Sequence, residues 1–359
     1  MAAPFRVIDT GPRGGRENIA FDQALIECHQ AGIVPDTVRF MHFPPTVLIG
    51  RHQSLSDEVR LDYCRENGIG TVRRITGGGA IYLDPGQLGW ELVFHRRALG
   101  AGALSDLAGR ICHAVAAGLR RLGVDAAFRP RNDVEVGGRK ISGTGGFFDG
   151  DTMIYQGTVL VDLDAEVMAS ALNVPRAKLA RRDLDSAARR VVTLRELLGE
   201  ATPPLAAVQQ ALLEGFATGL GIAPSPGEIH PEEERRARRA FDEEIGTDAF
   251  VSEIDAPHAP AGTHTGRHDG PGGTVAVHLR VETTGRPRVR EALVTGDFFV
   301  TPPRVVFDLE AALRGVPLDE AADAVTAFFE RTETGMLSAA PGDFRAALEA
   351  ALRAHAGGE

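Results

Sequence analysis

The chain is poor in cysteine, in basic charge and in long apolar runs, and each shortage narrows its function. Three cysteines, Cys28, Cys64 and Cys112, stand far apart among 359 residues. Their odd number and wide spacing exclude a disulfide framework and a cysteine zinc site. Lys and Arg total 39 against 49 Asp and Glu, a formal charge of −10. Phosphate backbones attract basic surfaces, so nucleic acid is not an expected partner. A small anionic ligand stays open, because a pocket sets its own field. No apolar run approaches the ~18 residues that span a bilayer. The stretch "MAAPFRVIDTGPRGGREN" has no apolar segment of the signal-peptide kind. The expectation is a cytoplasmic protein with no membrane partner.

What is present is a soluble globular composition long enough for about two domains. Asn18 is expected to cap a helix with Phe21, Leu25 and Cys28 on one face, ending near Gly32. "TVRFMHFPPTVLIGRHQS" reads as strand, turn, strand about Pro44-Pro45, and "GTVRRI", "AIYL" and "LGWELVF" read as extended. A second amphipathic helix starts near Ser105 and ends before Gly123. "NDVEVGGRKISG" then predicts a hairpin turning at Gly137-Gly138, and "TMIYQGTVLVDL" a further strand. Strands joined by short turns, with helices at the margins, predict an α+β fold on a mostly antiparallel sheet. From about 165 to 245 the chain reads as helical. The Gly/Pro/His-rich loop at 255–273 marks the domain boundary, dividing a unit of residues 1–255 from a small α+β unit of residues 262–359. In the latter, "TVAVHLRVE" and "RVREALVTG" read as strands, followed by helices near 305–314, 318–331 and from 341. His258, His264 and His268 in the loop read as part of a solvated linker, although such a cluster is able in principle to bind metal.

Two stretches carry candidate chemistry. "RRITGGGAIYLDPG" sets Gly77, Gly78 and Gly79 between two strands, without the following helix that a Rossmann or Walker loop requires. The triplet is either a plain turn or open backbone that cradles an anion. Arg74 and Thr76 beside it favour the anion, since a guanidinium forks onto a carboxylate or phosphate. In "RNDVEVGGRKISGTGG", Lys140 lies on a strand between glycine-rich bends, with Ser142, Gly143 and Thr144 following. It is either a surface lysine or a cation held against a phosphate. Asn132-Asp133 suits either magnesium or the start of the hairpin.

Taken in order, "ENIAFDQALIE", "TVLIGRHQS", "RRITGGGAIYLD", "NDVEVGGRKISGTGG" and "QGTVLVDL" resemble the lipoate–protein ligases over about residues 5 to 255. The resemblance implies the biotin/lipoate ligase catalytic fold, related to class II aminoacyl-tRNA synthetases, followed by an accessory domain. It further implies that ATP, Mg²⁺ and lipoate form lipoyl-AMP, whose acyl group passes to a lysine of a lipoyl domain or a glycine-cleavage-H-like protein. By the same analogy Lys140 is catalytic, contacting the α-phosphate and the reacting carbonyl. Arg74, Thr76, Gly77, Gly78, Gly79 and Ala80 would close over the adenylate. Asn132, Asp133, Ser142, Gly143, Gln156 and Gly157 would complete its site, with Asp133 on Mg²⁺.

Two positions depart from the family pattern. Leu83 stands where histidine usually precedes the aspartate, and Gln156-Gly157-Thr158 where His-Gly-Thr is usual. Glutamine keeps hydrogen-bonding capacity but carries no charge. The rival activity is an octanoyl- or lipoyltransferase of the same fold, which needs a cysteine thiolate near the lysine. A catalytically inactive lipoate- or adenylate-binding protein is the other alternative.

Overall fold

The computed structural model describes residues 2–100, 102–173, 190–270 and 272–357. The first helix, Gly15–Gln30, starts one turn before Asn18, with Gly14 as its cap and the Glu17 carboxylate accepting the Gly14 N–H at 2.7 Å. Asn18 therefore does not cap. Its amide donates to Arg13 O and His42 O, and its Oδ1 accepts from Arg39. Long-range partners satisfy both ends of a side chain that local preference would place at the cap.

Eight strands form the main sheet: β1 (Ala3–Pro12), β2 (Thr37–His42), β6 (Gln87–His95), β7 (Ala127–Arg129), β8 (Asp133–Val136), β9 (Arg139–Asp149), β10 (Thr152–Leu160) and β11 (Ile222–Pro226). Their order is β11-β1-β2-β6-β10-β9-β8-β7. β11, β1 and β2 run parallel, and every pair from β2 to β7 is antiparallel. The β8–β9 turn falls on Gly137 and Gly138, with φ of 58° and 78°. A two-residue hairpin of this hand requires positive φ at both positions, which glycine takes without strain.

Alternation along β6 sorts its side chains. Leu88, Trp90, Leu92 and Phe94 join the core under helices Leu104–Arg121 and Leu205–Leu220. Gly118 and Gly215 let those two helices touch, since a Cβ at Gly118 would lie 2.6 Å from Ala211 O. Gly89, Glu91 and Val93 occupy the opposite face, where Val93 packs with Phe21 and Leu25 of the first helix. A small sheet of β4 (Gly70–Arg73), β3 (Thr46–Ile49) and β5 (Ile81–Leu83) lies across that face. The expected helical run from about 165 to 245 includes Ala165–Ala171, Leu205–Leu220 and Pro231–Ala240, and part of it lies outside the described residues.

Residues beyond 262 build a second core around β13 (Gly273–Glu282) and β14 (Arg288–Gly296), with Val277, Leu279, Leu309, Phe344 and Leu348 buried. The 255–273 segment is only half loop. Thr263–Gly270 is strand β12, paired with β13. Its sequence is polar and glycine-rich because one face meets the helix Pro341–Ala356 at backbone distance, where a Cβ on Gly266 would lie 2.0 Å from Ala351 N. Two of the loop's histidines have packing partners, His268 on Asp343 at 3.1 Å and His264 on His355 at 3.1 Å. Among the described residues no group of three or more His, Cys, Asp and Glu is placed to hold a metal ion, and no helix is long and apolar enough to cross a membrane.

This second unit reaches into the first through residues 296–301. Gly78 N–H donates to Phe298 O at 3.0 Å, and Gly296 N–H to His52 O at 3.0 Å. Thr301 Oγ1 accepts from Phe148 N–H at 2.8 Å and donates to Phe148 O at 2.9 Å. Phe299 belongs to the large core rather than to its own. Its ring fills the space left by two glycines: a Cβ at Gly78 would lie 2.4 Å from it and one at Gly145 2.1 Å.

Two predictions follow from this junction. Gly145→Ala leaves an ordinary backbone but removes the seat of Phe299. Limited proteolysis of the variant should cut the 255–262 connection faster than in the parent, with the near-UV spectrum of the catalytic core kept. Second, burial together with Asp297 and Asp57 pushes the Glu58 carboxyl up to about 7, and burial pushes Glu310 up to about 7. Both acids hold a proton more tightly folded than unfolded. Their contribution is therefore full below pH 4.5 and declines as pH rises towards 7. The doubly substituted E58Q/E310Q protein should lose less thermal stability than the parent between pH 5 and pH 8, roughly the window these pKa values define.

Candidate active site

A row of charge is built first, by strand register. Arg39 of β2 pairs with Glu91 of β6, Glu91 with Gln156 of β10, and Gln156 with Gly145 of β9, all on the face turned towards the first helix. The helix adds Asp22. Arg39 donates to Asp22 at 2.7 Å, to Glu91 at 2.8 Å and to Asn18 Oδ1 at 2.8 Å. Gln156 Nε2 donates to the remaining oxygens, Asp22 Oδ2 at 2.6 Å and Glu91 Oε2 at 2.8 Å. Arg39, Asp22 and Glu91 are wholly buried. Burial and the neighbouring Glu91 push the Asp22 carboxyl up, against the pull of Arg39.

Gly143 lies two residues before Gly145 on the same face of β9, and Lys140 bends back over it. A Cβ at Gly143 would lie 2.4 Å from the lysine Cε and 2.5 Å from Nζ, so a larger residue there would shift the end of the lysine side chain. Nζ stands 2.8 Å from Asp133 Oδ1, and Asp133 Oδ2 accepts from Arg129 at 2.8 Å. Asn132 closes the same corner: its O accepts from Thr144 N–H at 2.9 Å and Oγ1 at 2.8 Å, and its amide donates to Thr144 O. The preceding Arg131 holds φ of 103°, a conformation rare for a side chain of its kind.

The glycine loop forms the roof. Arg74, expected on a ligand, is instead the strut of this loop. It is 8% exposed, and its terminal nitrogens donate to Leu48 O, Gly77 O and Gly79 O at 2.9, 3.0 and 2.9 Å. Those bonds tie three backbone carbonyls to the guanidinium. Gly78 N–H is likewise committed, to Phe298 O.

Between roof and sheet lies a cavity of about 330 Å³. Arg74, Thr76, Gly77, Gly79, Ala80, Asn132, Lys140, Gly143, Gln156 and Gly157 all line it, so residues far apart in the sequence do converge. Gly78, Asp133 and Ser142 do not. Gly78 is covered by Phe299, Asp133 stands behind Lys140, and Ser142 is fully buried on the other face of β9. One end of the cavity is polar, with Asn132, Lys140 and Thr144. Many apolar side chains line it as well, among them Met41, Phe43, Leu48, Leu160, Leu163 and Met168. Leu83 is one of them, packed with Met41, Phe43 and Leu48 in a single cluster. A histidine there would put a polar ring into that cluster.

Asp22, Gly145, Trp90 and Phe299 also line or bound the cavity, and sequence reasoning missed them. A signal existed for the charge row, since Asp22, Arg39 and Glu91 interrupt apolar runs. None existed for Phe299. All three cysteines are buried and none lines the cavity. Cys112 is nearest, with its Sγ against Thr144 Oγ1 at 3.3 Å, and burial pushes its thiol pKa up.

The site offers a cation beside open backbone at one end and a long apolar slot at the other, which suits a medium-length acyl acid joined to a phosphate. Residues 15–217 match the model of the lipoyl protein ligase A/B catalytic domain. The octanoyltransferase LipM of Symbiobacterium thermophilum is 32% identical, over 69% of this chain and 98% of its own. A chain from the structural analysis of the lipoylation system of Thermoplasma acidophilum, a bi-partite lipoate protein ligase and its E2 lipoyl domain, is 28% identical with a TM-score of 0.63, over 70% of this chain and 97% of its own. A lipoate-protein ligase A bound with ATP is also 28% identical, with a TM-score of 0.61, over 71% of this chain and 100% of its own. The chain therefore belongs to the lipoyl protein ligase A/B family, the enzymes that attach lipoyl or octanoyl groups to proteins.

Proposed function

We propose that the protein is an ATP-dependent lipoate–protein ligase. The observation that carries this reading over a transferase is the position of its thiols. A transferase holds the acyl group on a cysteine thiolate, and thiolates need an open, electropositive setting. Here Cys28, Cys64 and Cys112 are at most 1% exposed. Burial pushes all three thiol pKa values up. The group that does face the cavity is the Lys140 ammonium.

In the first step a carboxylate oxygen of lipoate attacks the α-phosphorus of ATP. The bond to the β-phosphate breaks, and pyrophosphate leaves. Lys140 has one anchored partner, Asp133, and swings on a flexible stem. Turned to the α-phosphate, it neutralises the charge that grows there. The apolar arm from Met41 to Met168 takes the acyl chain, and the roof keeps water from the anhydride. Asn132 and its Thr144 bonds shape the polar end. In the second step a lysine amine of the acceptor attacks the acyl carbon, an amide forms and AMP leaves.

Asp133, the residue expected on magnesium, does not line the cavity, and its two oxygens face Lys140 and Arg129, so its present setting does not fit the ion and no step is routed through it. The acceptor is a lipoyl domain or an H-like protein, and the segment 255–262, which precedes β12, is the hinge between the two units.

Intact-mass measurement on candidate acceptors tests the reading, with lipoate or octanoate and with or without ATP. The expected result is an acyl mass increment that requires ATP. Transfer from an octanoyl carrier protein without ATP would establish the transferase instead. Lys140→Ala should lower lipoate-dependent pyrophosphate release by about 100- to 1000-fold with the fold intact. Near-normal release would remove Lys140 from the mechanism. A protein in which Cys28, Cys64 and Cys112 are all replaced by alanine or serine should keep ATP-dependent lipoylation per folded molecule.

A further inference from the structure

The amide of Gln156 is fixed in orientation by its surroundings. Its Nε2 lies between Asp22 and Glu91 and donates to an oxygen of each, at 2.6 and 2.8 Å. Turning the amide over would break both bonds and set its oxygen against the Glu91 carboxylate. Among the described residues its Oε1 has no hydrogen-bond partner, and the residue is part-exposed and lines the cavity. The cavity is therefore presented with a fixed acceptor, backed by two carboxylates and one cation, Arg39.

Such a group does not meet the acyl carboxylate or the phosphates, since all of these are acceptors and most carry negative charge. It meets a donor. Gln156 is cross-strand from Gly145, and Gly145 shares a face of β9 with Gly143, over which the Lys140 ammonium lies. The acceptor oxygen thus stands beside the polar end of the cavity, where the acyl carbon and α-phosphate meet. The donor that must reach that carbon is the amine of the acceptor lysine.

We propose that Gln156 is a positioning residue for the second half-reaction, accepting an N–H of the incoming lysine amine so that its lone pair faces the acyl carbon. This rests on the ligase reading. As the C–N bond forms and the C–O bond to AMP breaks, the amine's proton leaves to solvent. Glutamine takes none, because its amide does not titrate. Orientation of this kind is worth most in a step between two large partners, where the nucleophile has one productive approach. Phe299 covers Gly145 next to Gln156, so the seat of that ring and the approach of the amine coincide.

The test separates the two half-reactions. Adenylate formation is read as lipoate-dependent pyrophosphate release with hydroxylamine as a small trapping nucleophile. Transfer is read as single-turnover acylation of an acceptor protein by enzyme preloaded with adenylate. Gln156→Met should slow protein transfer by about tenfold or more beyond any fall in hydroxylamine-trapped turnover, the loss of a hydrogen bond to a reacting group. An equal fall in both half-reactions would overturn the proposal and assign Gln156 to the nucleotide, through a ribose hydroxyl or the adenine amine. Unchanged transfer would overturn it as well. Gln156→His keeps a ring N–H for the carboxylates and a ring nitrogen for the amine, and should transfer close to the parent rate. A folded Gln156→His protein that transfers as slowly as Gln156→Met would also overturn it, and this variant serves should Gln156→Met fail to fold. Parent enzyme that releases no pyrophosphate with any acyl acid would sink the ligase reading and this proposal together, a result distinct from a changed ratio.

Discussion

Arg39 is the side chain around which the catalytic half is arranged. Its guanidinium sits wholly buried and joins the first helix to β2 and β6 through Asn18, Asp22 and Glu91. A buried ion pair gives little net stability against an apolar replacement of the same shape. Loss of one partner is another matter, because it leaves uncompensated charge in the interior. The arrangement is therefore better understood as a constraint. It sets the helix at one height and rotation over the sheet, and it leaves two carboxylate oxygens aimed at Gln156. The orientation of the amide at the cavity follows from that.

Missing side chains do as much here as present ones. Gly143 gives Lys140 its path, while Gly78 and Gly145 give Phe299 its seat. The loop Gly77–Gly79 consequently has two occupants to serve. In this structure the backbone of Phe298 takes the Gly78 N–H, the same kind of donor that open glycine backbone offers an anion. Arg74 maintains the loop from beneath, so a change at Arg74 would act on the roof before it acted on any ligand.

The two departures from the family pattern fall into different physical settings. Leu83 sits in an apolar cluster with Met41, Phe43 and Leu48, where a hydrocarbon side chain extends the apolar lining of the cavity. Gln156 sits in the most polar part of the site, where its amide is compatible with two carboxylates and a guanidinium without adding charge. In the proposed ligase reaction, adenylate chemistry would rely on Lys140 and the roof, and neither replacement removes these.

Local pattern determined much of this protein. The β8–β9 turn needs two glycines, the alternation of β6 divides Trp90 from Glu91, and the motif order places Lys140 and the glycine loop in one family. These features depend on residues close in the chain, whose geometry backbone sterics and period decide. Other features were settled only by tertiary structure. Asn18 gave up a cap for partners on β2 and the loop before the helix. Thr263–Gly270 became a strand because a helix some 80 residues later in sequence covers its small face. Arg74 turned inward because three carbonyls lay within its reach. Phe299 entered the site from the other unit across more than 150 residues from Gly145. Such outcomes depend on which distant groups arrive at the same place, and on the cost of leaving a buried donor or charge without a partner.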